Sequence, residues 1–307
     1  MKSIVYSCII VFSSVFFFSC SDDDIMLYHP EEEPSTPSKT RLLQKVDYPE
    51  GGLQLADRQD LTFSYTAGLL VKQITNLQLE VLNVDYKEGW VFYSRIRQSS
   101  TENNIYDSIQ VKLDKNKRAM YALHGTYIEY IDEDGNPKIE PGQVDSTAFI
   151  YDAEGYLKQL KRYSSSTSEV PTYTETRTIQ NGNITEIMTS SMYKYTFTYD
   201  NQEHSIPAGF CYEMPGNTHS LIKGGCWTLA NMAFLSDYLG KRSSNNVINA
   251  VITRNYEIGY VDYANISYTY TFDENELVTQ VKMTGIVGET QIPDNYITTF
   301  SYIESEK

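Results

Sequence analysis

The chain has 307 residues, with 40 Asp and Glu against 25 Lys and Arg and a formal net charge of −15. That balance repels phosphate backbones and supplies no basic stripe for counterion release, so it excludes nucleic acid as a partner and disfavours anionic lipid headgroups. The length can bury one large core or two modest ones, and 26 tyrosines with plentiful Ser and Thr suit pleated, half-buried strands.

In chain order, Lys2 and the apolar run from Ile4 to Phe18, broken only by serines, read as a signal peptide over residues 1–19. The run is shorter than the ~20 apolar residues of a membrane-crossing helix and suits a signal-peptide core. Ser19 before Cys20 fits cleavage that leaves the cysteine as the new N-terminus, where its thiol can carry a thioether-linked diacylglycerol. The segment resembles a lipobox, with Phe17 and Phe18 where a smaller aliphatic and a small residue are more usual. Ser21-Asp22-Asp23-Asp24 resembles the surface-export signal of Bacteroidota-type lipoproteins. These resemblances imply lipid attachment at Cys20 and an outer-membrane lipoprotein facing the cell exterior, the periplasmic face being the alternative. Removing residues 1–19 takes one lysine and no acid, leaving 24 basic against 40 acidic residues, or −16.

Residues 20–40 hold Asp22 to Asp24, Glu31 to Glu33, Pro30, Pro34 and Pro37, with little to bury, and read as an extended acidic tether. Residues 41–307 then repeat one theme as a single β domain. Phe63-Ser64-Tyr65 passes through Thr66-Ala67-Gly68 to Leu70 and Ile74. Phe149-Ile150-Tyr151 passes through Asp152-Ala153-Glu154-Gly155 to Leu157 and Leu160. Tyr270-Thr271-Phe272 passes through Asp273-Glu274-Asn275-Glu276 to Leu277 and Val281. Looser copies surround Asp114-Lys115-Asn116 and Asn181-Gly182-Asn183. Period-two alternation across a Gly/Asn/Asp turn marks a hairpin, because Asp bonds its own backbone two residues on and Gly or Asn accepts positive φ. Successive hairpins predict an all-β, antiparallel up-and-down meander curling into a soluble barrel or strongly curved sheet.

Residues 203–246 break the rhythm with Pro207, Pro215, Gly216, Gly224 and Gly225. Within them Trp227, Ala230, Phe234, Leu235 and Tyr238 recur at helical spacing before Gly240, predicting one short helix over 227–239 that packs on the sheet or plugs one end of it. The Tyr-Asp-x-x-Gly hairpins resemble those of uncharacterised Bacteroidota lipoproteins described as a domain of unknown function with a porin-like fold, and YD-repeat shells. The resemblance covers roughly residues 60–303, including the late helical insertion, and implies no catalytic residues. The apolar runs are mostly shorter than the ~9 to 11 residues of a transmembrane barrel strand. The end, Glu304-Ser305-Glu306-Lys307, has no terminal aromatic.

His204, Cys211, His219 and Cys226 alternate closely enough to raise a metal site, but lack the tight ligand pairs that zinc sites use. A Cys211–Cys226 disulfide, two free or buried thiols, and a metal site all stay open, the disulfide being the simplest account in an exported chain. Asp132-Glu133-Asp134-Gly135-Asn136 reads as a turn, since a calcium loop starting at Asp132 would meet Pro137 and Gln143 at its sixth and twelfth positions. No nucleophile elbow, zinc-helix motif or phosphate-cradling loop occurs. Trp90, Trp227 and the tyrosines could form a platform for flat sugar rings or a protein hot spot. Trp227, beside Gly224-Gly225, is a candidate ligand contact. The reading is a surface-tethered, non-enzymatic lipoprotein that binds an extracellular glycan or protein, with no cofactor or metal. Rival readings are a structural or envelope-assembly lipoprotein with a protein partner, and then a cell-surface hydrolase.

Overall fold

Alternating segments separated by polar turns become seventeen strands in a computed structural model of the chain. It describes residues 40–47, 61–66, 69–75, 80–98, 103–131, 137–165, 168–203, 238–256 and 259–305, all within one unit, Lys39–Lys307. The strands are β1 (Thr40–Asp47), β2 (Leu61–Thr66), β3 (Leu69–Thr75), β4 (Glu80–Lys87), β5 (Trp90–Gln98), β6 (Asn103–Leu113), β7 (Ala119–Ile131), β8 (Pro137–Tyr151) and β9 (Leu157–Tyr163). They continue as β10 (Tyr173–Gln180), β11 (Asn183–Thr189), β12 (Tyr193–Glu203), β13 (Asn245–Tyr256), β14 (Gly259–Phe272), β15 (Val278–Val287), β16 (Thr290–Gln291) and β17 (Ile297–Ser305).

Each strand from β1 to β15 pairs antiparallel with the next. β17 then pairs with both β15 and β1, while the two-residue β16 hangs from β15. The ladder therefore returns to its start as a sixteen-strand ring, an even number, as strict alternation of direction requires. Closure leaves no long edge to recruit another chain. The meander is the predicted one, but several strands are longer than the alternating runs, with 13 residues in β7, 15 in β8 and 14 in β14. Register shifts inside two of them account for this, one between Pro141 and Val144 on β8 and one between Asp262 and Ala264 on β14, each placing an extra residue in the strand. Each bulge reverses the phase of the alternation, so one long strand reads as two short ones.

Every second side chain faces inward. On β12 Tyr193, Tyr195 and Phe197 are buried, while Thr196 and Thr198 are exposed; on β14 Ala264, Ile266 and Tyr268 are buried, while Asn265, Ser267 and Thr269 are exposed. On these two strands the apolar face is thus interior. Two clusters fill the interior. One gathers β1, β2, β11 to β15 and β17 around Val46, Ile187, Phe197, Ile252, Ile266 and Val281. The other gathers β4 to β9 around Val91, Tyr93, Ile109, Val111, Phe149 and Leu157. Leu70 on β3 packs against both.

One rim is built from short turns with a common chemistry. Asp114 accepts the amides of Asn116 and Arg118, Asp152 those of Gly155 and Tyr156, and Asp273 those of Asn275 and Leu277, at 2.8 to 3.0 Å. Just inside that rim, six tyrosines latch neighbouring strands by donating hydroxyls to backbone carbonyls: Tyr65 to Leu43, Tyr86 to Leu70, Tyr151 to Ala119, Tyr199 to Ile184, Tyr270 to Val247 and Tyr302 to Val278. The predicted helix falls mostly in 204–237, outside the described residues. The chain re-enters at Tyr238, whose carbonyl accepts the Tyr151 hydroxyl at 3.2 Å, and Leu239 enters the β4–β9 core. Residues 240–244 then cross the rim, bonding Gly155 through Lys241 and Gly182 through Ser244, and lead into β13. At the contact with the β8–β9 turn, Gly240 has φ +79, and a Cβ there would lie 2.4 Å from the Gly155 carbonyl oxygen.

Candidate ligand-binding surface

Cys20, Cys211, Cys226 and Trp227, with His204 and His219, lie outside the described residues, as does the turn at Asp132 to Asn136. Its flanks, Ile131 and Pro137, are register partners on β7 and β8. Among the described residues no group of three His, Cys, Asp or Glu side chains could hold a metal ion. Most of the described aromatic rings belong to the fold. Tyr93, Tyr193, Tyr195, Tyr268 and Tyr296 are buried in the core, and the six latch tyrosines are half-buried.

Trp90 is different. It opens β5, where Val91 and Tyr93 face the core and Trp90 and Phe92 therefore face out. Register carries the arrangement across the sheet in an unbroken outward row, Lys87–Trp90–Lys112–Tyr121–Ala148–Lys161, from β4 to β9. A second row, Asp85–Phe92–Gln110–Leu123–Ser146–Tyr163, runs beside it. The Trp90 ring stacks on Phe92 with centroids 6.1 Å apart and meets Tyr121 edge-on at 5.7 Å. Lys112 Nζ lies 4.8 Å over the Trp90 ring and Lys87 Nζ 4.8 Å over Phe92. Such contacts are worth ~0.5–1 kcal/mol when exposed. Among the described residues none of Lys87, Lys112 and Lys161 is in an ion pair. The patch combines flat rings, an amide and ammonium groups on a rigid sheet, which can stack on a ligand while hydrogen-bonding its edges. The sequence offers Trp90 only as one platform ring among several and favours Trp227, which lies outside the described residues; the partners of Trp90 arrive from other strands, and pairing register was the missing signal.

Among the described residues one ion pair is almost fully buried. Glu175 and Arg177 alternate on β10, between the two apolar clusters, with side chains 3% and 2% exposed. Arg177 Nε and Nη2 both donate to Glu175 Oε1, at 2.9 and 2.8 Å, and the Tyr173 hydroxyl reaches Oε2 at 3.4 Å. Burial pushes the Tyr173 hydroxyl well above the ordinary tyrosine range, and the Glu175 charge adds to it. The carboxylate is locked to a guanidinium, and removing one partner of such a buried pair is costly.

No protein-family model matches the chain, and no curated protein does. The fold is shared with solved structures that include two porin-like proteins. A porin-like protein from Bacteroides uniformis aligns at 17% identity with a TM-score of 0.52, covering 86% of this chain and 98% of its own. A porin-like protein from Bacteroides vulgatus aligns at 12% identity with a TM-score of 0.53, covering 85% and 98%. At these identities the likeness is one of fold.

Proposed function

We propose that the protein is a lipoprotein anchored through Cys20, displayed on the outer face of the cell envelope, whose barrel binds an extracellular glycan without catalysis. The observation that carries the binding role is the outward group of Trp90, Phe92 and Tyr121, which sits on a barrel whose other rings mostly serve its core and latches. Flat rings stack against the C–H faces of sugars, and Gln110 with nearby serines supplies edge hydrogen bonds. A protein partner is the second reading, favoured by exposed Val144 and Ile150 on β8, which extend the patch with aliphatic surface.

The test is affinity electrophoresis of the full chain, in mild detergent, through a panel of polysaccharides. Wild type is compared with Trp90→Ala and with Thr269→Ala, an outward residue of β14. Saturable retardation that Trp90→Ala weakens at least tenfold, and Thr269→Ala leaves unchanged, is the expected result. Retardation by no polysaccharide, or retardation indifferent to Trp90, overturns the reading. Incorporation of an alkyne fatty acid that Cys20→Ser abolishes checks the anchor.

A further inference from the structure

We infer that the ligand of the Trp90 surface is an anionic polysaccharide, a chain bearing carboxylate or sulfate groups at intervals; this rests on the glycan-binding reading. The argument is charge complementarity on an otherwise acidic molecule. The chain carries −15 overall, yet the outward row Lys87–Trp90–Lys112–Tyr121–Ala148–Lys161 has three ammonium groups and no carboxylate, the acids beside it being Asp85 in the adjoining row and Glu88 in the β4–β5 turn. Sheet spacing of ~4.8 Å per strand sets the Cα atoms of Lys87 and Lys112 ~10 Å apart and those of Lys112 and Lys161 ~14 Å apart. The lysines are therefore rooted along a line crossing the strands, with Trp90 and Tyr121 between them, and the Lys87 ammonium leans over Phe92 in the neighbouring row. An extended chain laid on that line meets a ring, then a charge, then a ring.

The lysines also have a second role. Lys112 Nζ covers the Trp90 ring and Lys87 Nζ covers Phe92. An ammonium offers three donors and carries a flexible stem. In the free protein the cation shields an otherwise wet aromatic face. A ligand anion draws the ammonium aside to an ion pair, and the bared ring receives the adjoining sugar. A neutral chain must displace the cation with nothing to receive it. Anionic chains are thereby preferred over neutral ones of the same backbone, and the preference weakens with salt.

The experiment uses the full chain in detergent with four probes: polygalacturonate, its fully methyl-esterified form, chondroitin sulfate and an oligo-thymidylate. Affinity is measured at low and at high salt for wild type, Trp90→Ala and the double variant Lys112→Gln/Lys161→Gln. Expected are at least tenfold tighter binding of polygalacturonate or chondroitin sulfate than of the ester, a loss of that margin at high salt, and its loss in the double variant. Which of the two anionic chains binds tighter separates carboxylate from sulfate. Equal binding of acid and ester, with Trp90→Ala still weakening both, overturns the anionic inference and leaves glycan binding standing. Binding of none of the three glycans overturns both. Tightest binding of oligo-thymidylate overturns both in favour of single-stranded nucleic acid. Near-ultraviolet circular dichroism of each variant identifies any loss of binding that comes from unfolding.

Discussion

The β4–β9 side of the barrel and the β11–β17 side are built alike within and differently without. Both alternate buried apolar residues with outward ones, both end in Asp-anchored turns at the same rim, and both are latched by tyrosine hydroxyls. Outside, β12 to β15 show mainly hydroxyls and amides, among them Thr196, Thr198, Asn265, Ser267, Thr269, Thr271 and Gln280, with Ile248 and Ile286 also exposed. β5 to β7 instead show Trp90, Phe92, Lys112 and Tyr121. The two sides therefore share an interior that accounts for the fold and differ, among the described residues, in the rings and lysines that β5 to β7 carry outward.

The largest effect is expected where the two sides meet. Arg177→Met leaves the Glu175 carboxylate buried without its cation and should cost ~3–5 kcal/mol, read as a drop in the urea midpoint. The double variant Glu175→Leu/Arg177→Met should recover most of that loss. If the single variant unfolds the chain in two separate steps, the halves are independent units and the shared-interior comparison fails. Next come matched glycines. A Cβ at Gly285, on the β15 side with φ +129, would lie 2.0 Å from the Asn265 carbonyl oxygen, and Gly240 is nearly as tight on the other side. Alanine at either should cost ~1–3 kcal/mol by thermal unfolding. A large cost on one side and none on the other would break the symmetry.

Hydroxyl deletion comes third. Tyr151→Phe and Tyr302→Phe should each cost ~0.5–1.5 kcal/mol. Burial raises both hydroxyls above the ordinary tyrosine range. Their folded pKa exceeds the unfolded one, so their contribution is complete below ~10 and is lost as pH rises through the raised values. Tyrosinate absorbance should therefore appear together with unfolding in alkali. The smallest effect concerns the turns. Partial burial pushes Asp114 up, but hydrogen bonds from Arg118 and Asn116 outweigh it and hold the carboxyl below its ordinary range; for Asp273 the Leu277 amide leads, joined by the Asn275 amide and the Arg41 charge. Stability from such groups is present above the unfolded carboxylate pKa and lost as pH falls through the lowered one. Asp114→Asn and Asp273→Asn should each flatten the acid limb of a stability–pH curve, and a flattening confined to one of them would show that the two turns are not equivalent.

The hairpins around Asp152, Asp273 and Asn181-Gly182 were legible because the turn chemistry is local and the alternation beside it is short-range. Even there the detail differs. The positive φ in two of the Asp turns is carried by Lys117 and Glu276, at 59° and 60°, rather than by Asn116 or Asn275. Once Asp has gathered the amides around it, the backbone dictates that angle whatever side chain follows. Glu175 was not legible: acidic residues in so acidic a chain read as solvent-facing, and its burial depends on Arg177 two residues on, across one strand face. The Trp90 surface was half legible. The ring itself stands out by type, whereas Lys112 and Tyr121 become its neighbours through register, and the shift at Lys112/Leu113 alters the phase that a reader would extrapolate.

The first and last strands close the ring on each other, with seven register pairs joining β1 to β17, from Thr40↔Ser305 to Asp47↔Thr299, and two joining β1 to β2. A force directed along β1 would strain all seven of these pairs together in shear, whereas one directed away from β17 would part them one after another like a zipper.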